Sequence, residues 1–102
     1  MAVHFDPISQ AMINSLLLTH SIFQAQVDSM LNNPEQGFLG RLTAGNFIGA
    51  PVYHIAGQYP NTGKPFWTYN RQTETIHFLG MYNHDGQRYN KIHGTGDGPN
   101  HI

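Results

Sequence analysis

Apolar side chains in the first third of the chain recur at three- and four-residue steps, which is the spacing of one helix face. They are Ile8, Met12, Leu16, Ile22, Phe23, Val27, Met30 and Leu31. Asp6-Pro7 is a helix-start signal, because Asp caps free amides and Pro fits the first helical position. The pattern is interrupted at residues 19–21, where Ser21 precedes Gln24 at a capping-box spacing. We therefore expect two helices over residues 8–31, preferably as an antiparallel hairpin, or one kinked helix.

The second half of the chain changes to the short alternating runs that are typical of β-strands. These runs cover residues 51–56, 65–70 and 75–83, and residues 87–92 predict a short edge strand. Residues 2–5 also alternate, whereas residues 37–49 contain four glycines and predict a loop. This order predicts an α+β fold, with an N-terminal helical hairpin packed on a small antiparallel sheet. We expect one domain over residues 1–95 and a flexible tail over residues 96–102.

The longest of these runs predicts a central strand. Strict alternation places one set of side chains on the first face: Ile76, Phe78, Gly80, Tyr82 and His84. The opposite face then receives His77, Leu79, Met81 and Asn83. Both sets are partly apolar, so we expect one face to pack on the helices and the other to line a groove.

Composition and charge narrow the classes of function. Only 11% of the residues are charged and the net charge is −1, whereas nucleic-acid binders usually carry an extended basic face. Four cations (Lys64, Arg71, Arg88 and Lys91) against three acids leave residues 60–102 slightly positive, which suits a small phosphate-facing patch. The absence of cysteine excludes disulfides, zinc–thiolate sites and a cysteine nucleophile. With no leader-like or long apolar segment, we expect a cytoplasmic protein with no membrane segment.

Candidate chemistry concentrates near the end of the longest strand. His84 lies at a strand end beside a turn, where a rigid sheet can position a reactive group, and Arg88, Tyr89 and Lys91 follow it. The alternative is a turn histidine beside a charged edge strand without a catalytic role. His54 and His77 lie among core residues and are more typical of structural histidines. No metal, nucleotide-loop or serine-hydrolase motif is present, so we expect neither a metal nor a cofactor.

The segments VHFDPISQAM and GKPFWTYNRQTETIHFLGMYNHDGQRYNKI together resemble the RelE/ParE-like bacterial toxins and, more broadly, barnase-like ribonucleases. The family has a short strand, two helices and a meander, and its last strand leads to a basic or histidine position followed by a tyrosine. His84 and Tyr89 occupy those places, and Lys64 lies nearest to the family's cation in the preceding strand. Active members cut messenger RNA, usually on the ribosome, without a metal. Unlike them, this chain is slightly acidic and lacks an arginine in PFWTYN.

The resemblance implies a toxin that acts as a metal-independent endoribonuclease and is neutralised by an antitoxin or immunity protein. His84 would be the general acid or base, and Lys64, Arg71 and Arg88 would stabilise the phosphate. Tyr89 would position the phosphate or transfer a proton. The residues expected to bind the RNA, either ribosome-bound messenger or transfer RNA, are Trp67, Tyr69, His77 and Lys91. A toxin domain delivered to another cell is the alternative location. The alternative function is a non-enzymatic module that binds a partner protein through aromatic strands 65–70 and 75–83.

Overall fold

The computed structural model describes residues 2–55, 63–85 and 88–93, and for residues 84, 85 and 88–93 it describes the backbone. The fold is α+β, as the sequence predicts. Two helices, α1 (Pro7–Thr19) and α2 (Gln24–Asn32), are joined by a 3₁₀ turn at Ser21–Phe23. The strands are β1 (His4–Phe5), β2 (Phe38–Arg41), β3 (Pro51–His54), β4 (Lys64–Asn70), β5 (Thr75–Asp85) and β6 (Arg88–His93).

The start of α1 follows the sequence prediction. Asp6 is the N-cap, and its side chain accepts a hydrogen bond from the Ser9 amide at 2.7 Å. The predicted capping box at Ser21 is wrong, because that residue begins the 3₁₀ turn and α2 starts without a side-chain cap. The helical segment therefore contains a tight turn between two helices.

The described strands form a mixed sheet, which corrects the prediction of an antiparallel one. Five strands follow the order β1-β5-β4-β3-β2, and β6 pairs with the later part of β5. The parallel pair is β1 with β5, where His4 pairs with Thr75. Beyond β1, the buried Ser9 hydroxyl accepts the amide hydrogen of Phe78 at 2.8 Å. The first turn of α1 thus also binds β5, next to the part of β5 that pairs with β1.

The predicted loop over residues 37–49 contains strand β2, so that prediction is wrong for its first part. Gly37 precedes the strand with φ 62°, and its carbonyl accepts hydrogen bonds from the backbone and from Nδ1 of His54. A Cβ at Gly37 would lie 2.0 Å from the His54 carbonyl oxygen. The glycines that suggest a loop thus include one whose missing side chain allows β2 to approach β3.

Both faces of the sheet carry buried apolar clusters. The larger cluster joins the helices to one face and includes Ile13, Phe23, Met30, Trp67 and Phe78. The smaller cluster has no helical member and consists of Leu42, Val52, Phe66, Leu79 and Tyr82. Within the described part of the chain, the helices therefore pack on one face of the sheet, as predicted. None of the helices in the described part of the chain has the length and hydrophobicity that a bilayer crossing requires.

A β-bulge interrupts the longest strand. Phe66 pairs with Gly80, whereas the next residue of β4 pairs with Phe78. Leu79 is therefore an extra residue in β5. Gly80 has φ 129°, which a residue without a Cβ adopts most easily.

This bulge changes which side chains share a face. Met81 packs with Phe78 in the helix-side cluster, and Tyr82 packs with Leu79 in the other cluster. The prediction of strict alternation, which put Tyr82 with Phe78, is therefore wrong beyond Gly80. Side chains alternate between the two faces of a sheet only where the strand has no inserted residue.

Candidate active site

A cleft of about 640 Å³ opens at one end of the sheet, where β2 ends, β3 begins and β4 turns into β5. Its wall combines charged and aromatic side chains from distant parts of the chain: Asp6, Glu35, Arg41, Phe47, Arg71 and His77. A concave surface with a few convergent polar groups is the usual form of a binding or catalytic site. The cleft is therefore the candidate site.

Asp6 and His77 form a hydrogen-bonded pair in the wall of this cleft. Oδ2 of Asp6 lies 2.6 Å from Nδ1 of His77. Parallel pairing of β1 with β5 brings together these two residues from opposite parts of the chain. Their side chains are 23% and 16% exposed, so the pair is largely shielded from water yet borders the cleft. Positioned carboxylate–imidazole pairs of this kind support proton transfer in many enzymes.

The Asp6 carboxylate determines which ring nitrogen of His77 carries the proton. Partial burial opposes ionisation of Asp6, but hydrogen bonds from the Ser9 amide and from His77 outweigh it and lower the pKa of Asp6 below its ordinary value. An ionised carboxylate only accepts hydrogen bonds, so Nδ1 of His77 is the donor. In the neutral ring, Nε2 is then the proton acceptor. Within the described residues, Nε2 has no hydrogen-bond partner.

Two further contacts restrict the imidazole of His77. The Phe47 ring stacks on it with a centroid distance of 4.0 Å and an interplanar angle of 21°. The hydroxyl of Ser9 lies 3.5 Å from Nδ1. Because Ser9 is fully buried and its hydroxyl accepts the Phe78 amide hydrogen, it is a positioning group and is not available as a nucleophile. The imidazole is therefore held from the α1 side and from the β2–β3 loop.

Two arginines supply positive charge to the cleft. Arg41 is exposed at the end of β2, and its Nη1 donates to the Gly49 carbonyl at 3.0 Å. Arg71 follows β4 and forms a two-point ion pair with Glu35, in which Nε and Nη2 each donate to a carboxylate oxygen. The pair lowers the pKa of Glu35 through that hydrogen bonding. Both groups are thus ionised together at neutral pH, and the guanidinium groups of Arg41 and Arg71 both line the cleft.

No group of three His, Asp or Glu side chains that could hold a metal occurs within the part of the chain that the structure describes. Asp6 and His77 are a pair, and Ser9, beside them, is a weak metal ligand. With its own side chains, the cleft can transfer a proton through His77 and can stabilise a bound anion through Arg41 and Arg71.

Residues singled out from the sequence fall at two separate ends of the sheet. One group lies at the end opposite to the cleft, as the backbone pairing shows: Lys64, His84, Arg88, Tyr89 and Lys91. His84 pairs with Tyr89 across β5 and β6, so the two backbones are adjacent, as they must be if both residues form one site. The side chains of both lie outside the described residues. His77 and His84 are separated along β5 by about 20 Å, at roughly 3.3 Å per residue. Those five residues therefore do not belong to the cleft.

The other predicted residues lie in or near the cleft. Tyr69, Arg71 and His77 line it. Trp67 does not, because its side chain is 0% exposed and its Nε1 donates to the Pro34 carbonyl at 2.7 Å. Trp67 is thus a core residue that anchors the end of α2 to the sheet, and it offers no ring face to a base. The expectation that Trp67 stacks on RNA has to be corrected.

Sequence reasoning did not select Glu35, Arg41 or Phe47 as site residues, and it interpreted Asp6 only as a helix cap. The cap signal was right, but nothing in the local pattern shows that the second oxygen of Asp6 reaches His77. Arg41 and Phe47 lie in the segment that was predicted to be a loop. A possible signal was that Arg41 is the one cation of the first 59 residues.

The chain matches no protein-family model, no curated protein and no solved structure. Its function therefore has to be inferred from the cleft and its side chains.

Proposed function

We propose that this protein is a small metal-independent endoribonuclease in which His77 is the general base. The observation that carries the proposal is the Asp6–His77 pair, with Nε2 unbonded among the described residues, in a cleft that also contains Arg41 and Arg71. RNA supplies the two groups that such a cleft requires, a hydroxyl to deprotonate and an anionic phosphate to stabilise. The charges in the cleft are few, which fits a short contact with a single strand better than an extended groove.

In the proposed reaction, Nε2 of His77 takes the proton of a ribose 2′-hydroxyl, and the 2′ oxygen attacks the adjacent phosphorus. The bond from phosphorus to the 5′ oxygen of the next nucleotide breaks, and that oxygen takes up a proton from water. The products are a 2′,3′-cyclic phosphate and a 5′-hydroxyl. Asp6 stabilises the imidazolium that forms, and Arg41 stabilises the negative charge on the phosphorane oxygens.

The proposal retains the toxin expectation and a RelE-like arrangement of the helical hairpin and strands. It differs from the family resemblance by assigning proton transfer to His77, whereas His84 lies at the other end of β5. An antitoxin or immunity protein would then act by covering the cleft at the β4–β5 turn. Growth arrest on induced expression of the wild type, and growth of a His77→Gln strain, are the expected results for a toxin.

The decisive experiment is cleavage of a dye-and-quencher RNA oligonucleotide by the purified protein in EDTA, with His77→Gln beside His84→Gln. We expect cleavage by the wild type and by His84→Gln, and a decrease in kcat/KM on the order of 10²-fold or more in His77→Gln, the usual contribution of general base catalysis. Mass spectrometry should show the cyclic phosphate. Full activity of His77→Gln, or loss in His84→Gln alone, would overturn the assignment. A folded wild type that cleaves no RNA would refute the function.

A second candidate function is protein binding through α1. The sequence predicts that such binding uses aromatic side chains of strands 65–70 and 75–83. Trp67 and Tyr82 in these strands are only 0% and 1% exposed, so they are not available to a partner. Instead, Ile8 and Leu18 on α1 are 68% and 88% exposed, and residues 7–27 contain no Lys, Arg, Asp or Glu. A helix face with that composition suits a partner protein. Leu18→Glu would abolish such binding and leave RNA cleavage intact.

A further inference from the structure

Arg71 is held in a geometry that leaves one binding edge of its guanidinium unused. Nε and Nη2 donate to the two oxygens of Glu35, with Nη2 3.0 Å from Oε2. The guanidinium carries five N–H donors in a planar fork. The edge formed by Nη1 and the second hydrogen of Nη2 is therefore not used by Glu35. Within the described residues, no hydrogen bond occupies that edge. The Arg71 side chain is 80% exposed, so the edge is accessible to a ligand.

The ion pair contributes little to the stability of the fold. Exposed pairs gain little because water screens them and because two long side chains lose freedom. Arg71 is mostly exposed and Glu35 is 32% exposed, which places this pair in that class. What the pair does provide is orientation, since a two-point contact fixes the plane of the guanidinium. Glu35 therefore acts on Arg71 mainly by positioning it.

Arg71 is held away from His77. Thr68 of β4 pairs with His77, and Arg71 lies three residues farther along the chain, about 10 Å in an extended strand. Asp6 holds the imidazole at the β1 edge of the sheet, whereas Glu35, in the connection between α2 and β2, holds Arg71 on the side of Tyr53 and Tyr69. One phosphate bound at Nε2 of His77 would not reach a guanidinium anchored in this way.

An aromatic wall lies beside Arg71. Tyr53, Tyr69 and Phe38 line the same cleft. The Phe38 ring is 58% exposed and meets the Tyr53 ring edge to face at 5.9 Å. Rings of this kind accept the sugar or base of a single-stranded nucleotide, because every base has an apolar face. The cleft thus offers an apolar surface next to the guanidinium of Arg71.

We propose that Arg71 binds the phosphate next to the one that is cleaved, with Glu35 as its positioning residue, so that the substrate is an oligonucleotide with at least two phosphates. The proposal rests on the proposed function for the identity of the first phosphate, but the subsite itself can be measured without cleavage. Arg41 then acts at the scissile phosphate, as the proposed reaction assigns it, and Arg71 acts at the neighbouring phosphate.

The test measures binding of 2′-deoxy dinucleotides, which lack the attacking hydroxyl and cannot be cleaved. Three ligands are compared by isothermal titration calorimetry: a dinucleoside monophosphate, the same molecule with an added 5′-phosphate, and the same molecule with an added 3′-phosphate. For the wild type, one of the two additions should raise affinity about tenfold, the usual effect of a charge-assisted contact. In Arg71→Gln that gain should vanish, so that the ligands with an added phosphate bind no more tightly than the unmodified dinucleotide. Because the ion pair adds little stability, the variant is expected to fold.

Three controls make the result specific. Arg71→Lys keeps the charge but loses the fork, and should retain only part of the gain. Glu35→Gln removes the anionic anchor, and should also reduce the gain although it makes the cleft more positive. Arg41→Gln should weaken all three ligands and leave the gain from the added phosphate unchanged. A gain that persists in Arg71→Gln, or no gain in the wild type from either phosphate, would overturn the subsite.

Cleavage of the matching ribonucleotides separates this subsite from the proposed function. If the phosphate-dependent gain in binding depends on Arg71 but no ribonucleotide is cleaved, the subsite stands and the ribonuclease proposal fails. If the dinucleotide is cleaved with His77 dependence and neither added phosphate matters, the ribonuclease proposal stands and the subsite fails.

Discussion

Replacing Asp6 by asparagine should separate two roles of this residue, because its two carboxylate oxygens have different partners. Oδ1 accepts the Ser9 amide hydrogen at 2.7 Å and caps α1, and Oδ2 binds Nδ1 of His77 at 2.6 Å. Asparagine caps a helix about as well as aspartate does, so Asp6→Asn retains the cap and loses the anionic partner of the imidazole. Asp6→Ala loses both. The two variants therefore differ only in the cap.

The magnitudes follow from these contacts. A lost N-cap costs about 1 kcal/mol in the free energy of unfolding. A hydrogen bond to a charged group contributes about 1.5–3 kcal/mol, and the 23% exposure of Asp6 favours the lower end. At pH 7 we expect Asp6→Asn to lower the free energy of unfolding by about 1–2 kcal/mol and Asp6→Ala by about 2–3 kcal/mol. Both variants should lower kcat/KM on the order of 10²-fold, because neither stabilises the imidazolium of His77.

The pH dependence of stability gives an independent check. The pKa of Asp6 is lower in the folded state than its ordinary value of 3.8. Stability from this group is therefore complete above that value and is lost as the pH falls through the lower, folded-state pKa. Urea unfolding at pH 7 and at several values below 4 should show the difference between wild type and Asp6→Asn shrinking toward zero. A constant difference over that range, or equal stabilities of Asp6→Asn and Asp6→Ala at pH 7, would refute the two-role interpretation.

Two further predictions concern the fold. Leu16→Ala should lower the free energy of unfolding by about 2–5 kcal/mol, because Leu16 belongs to the helix-side core, whereas Leu18→Ala on the same helix, at 88% exposure, should change it by less than about 0.5 kcal/mol. Equal urea midpoints for the two variants would show that α1 does not pack as described. Glu74→Gly should raise the free energy of unfolding by about 1 kcal/mol, because Glu74 has φ 53° in the turn between β4 and β5. Thr73→Gly is its control in thermal unfolding and should not stabilise.

The helices and most strands were predictable because their signals are local. The Asp-Pro cap, the helical spacing and the alternating runs each depend on residues a few positions apart. Pairing is not local, so the parallel contact of β1 with β5 could not be read from the pattern. β2 was missed because four glycines in 37–49 suggested a loop, although Gly37 is the residue that lets β2 approach His54. Glycine marks both turns and close backbone contacts, and the sequence does not distinguish the two.

The candidate site was predictable only in part, and the reason is the length of β5. A cluster of chemically active side chains in the sequence, from Lys64 to Lys91, suggested one site, because close positions along a chain were taken as close positions in space. In an 11-residue strand the two ends are far apart, so Arg71 and His77 lie at the cleft whereas the His84–Tyr89 pair lies at the opposite end.

The hydrogen-bond partner of His77 comes from a distant part of the chain. Asp6 is 71 positions away, and it reaches the imidazole because β1 pairs in parallel with the start of β5. A helix cap and a strand histidine each have an ordinary structural explanation when they are considered alone. Only their juxtaposition engages Nδ1 of His77 and leaves Nε2 without a hydrogen-bond partner among the described residues. The Asp6→Asn and His77→Gln variants therefore test a property of the assembled fold, and their effects on kcat/KM should not add, because both act through the same imidazole.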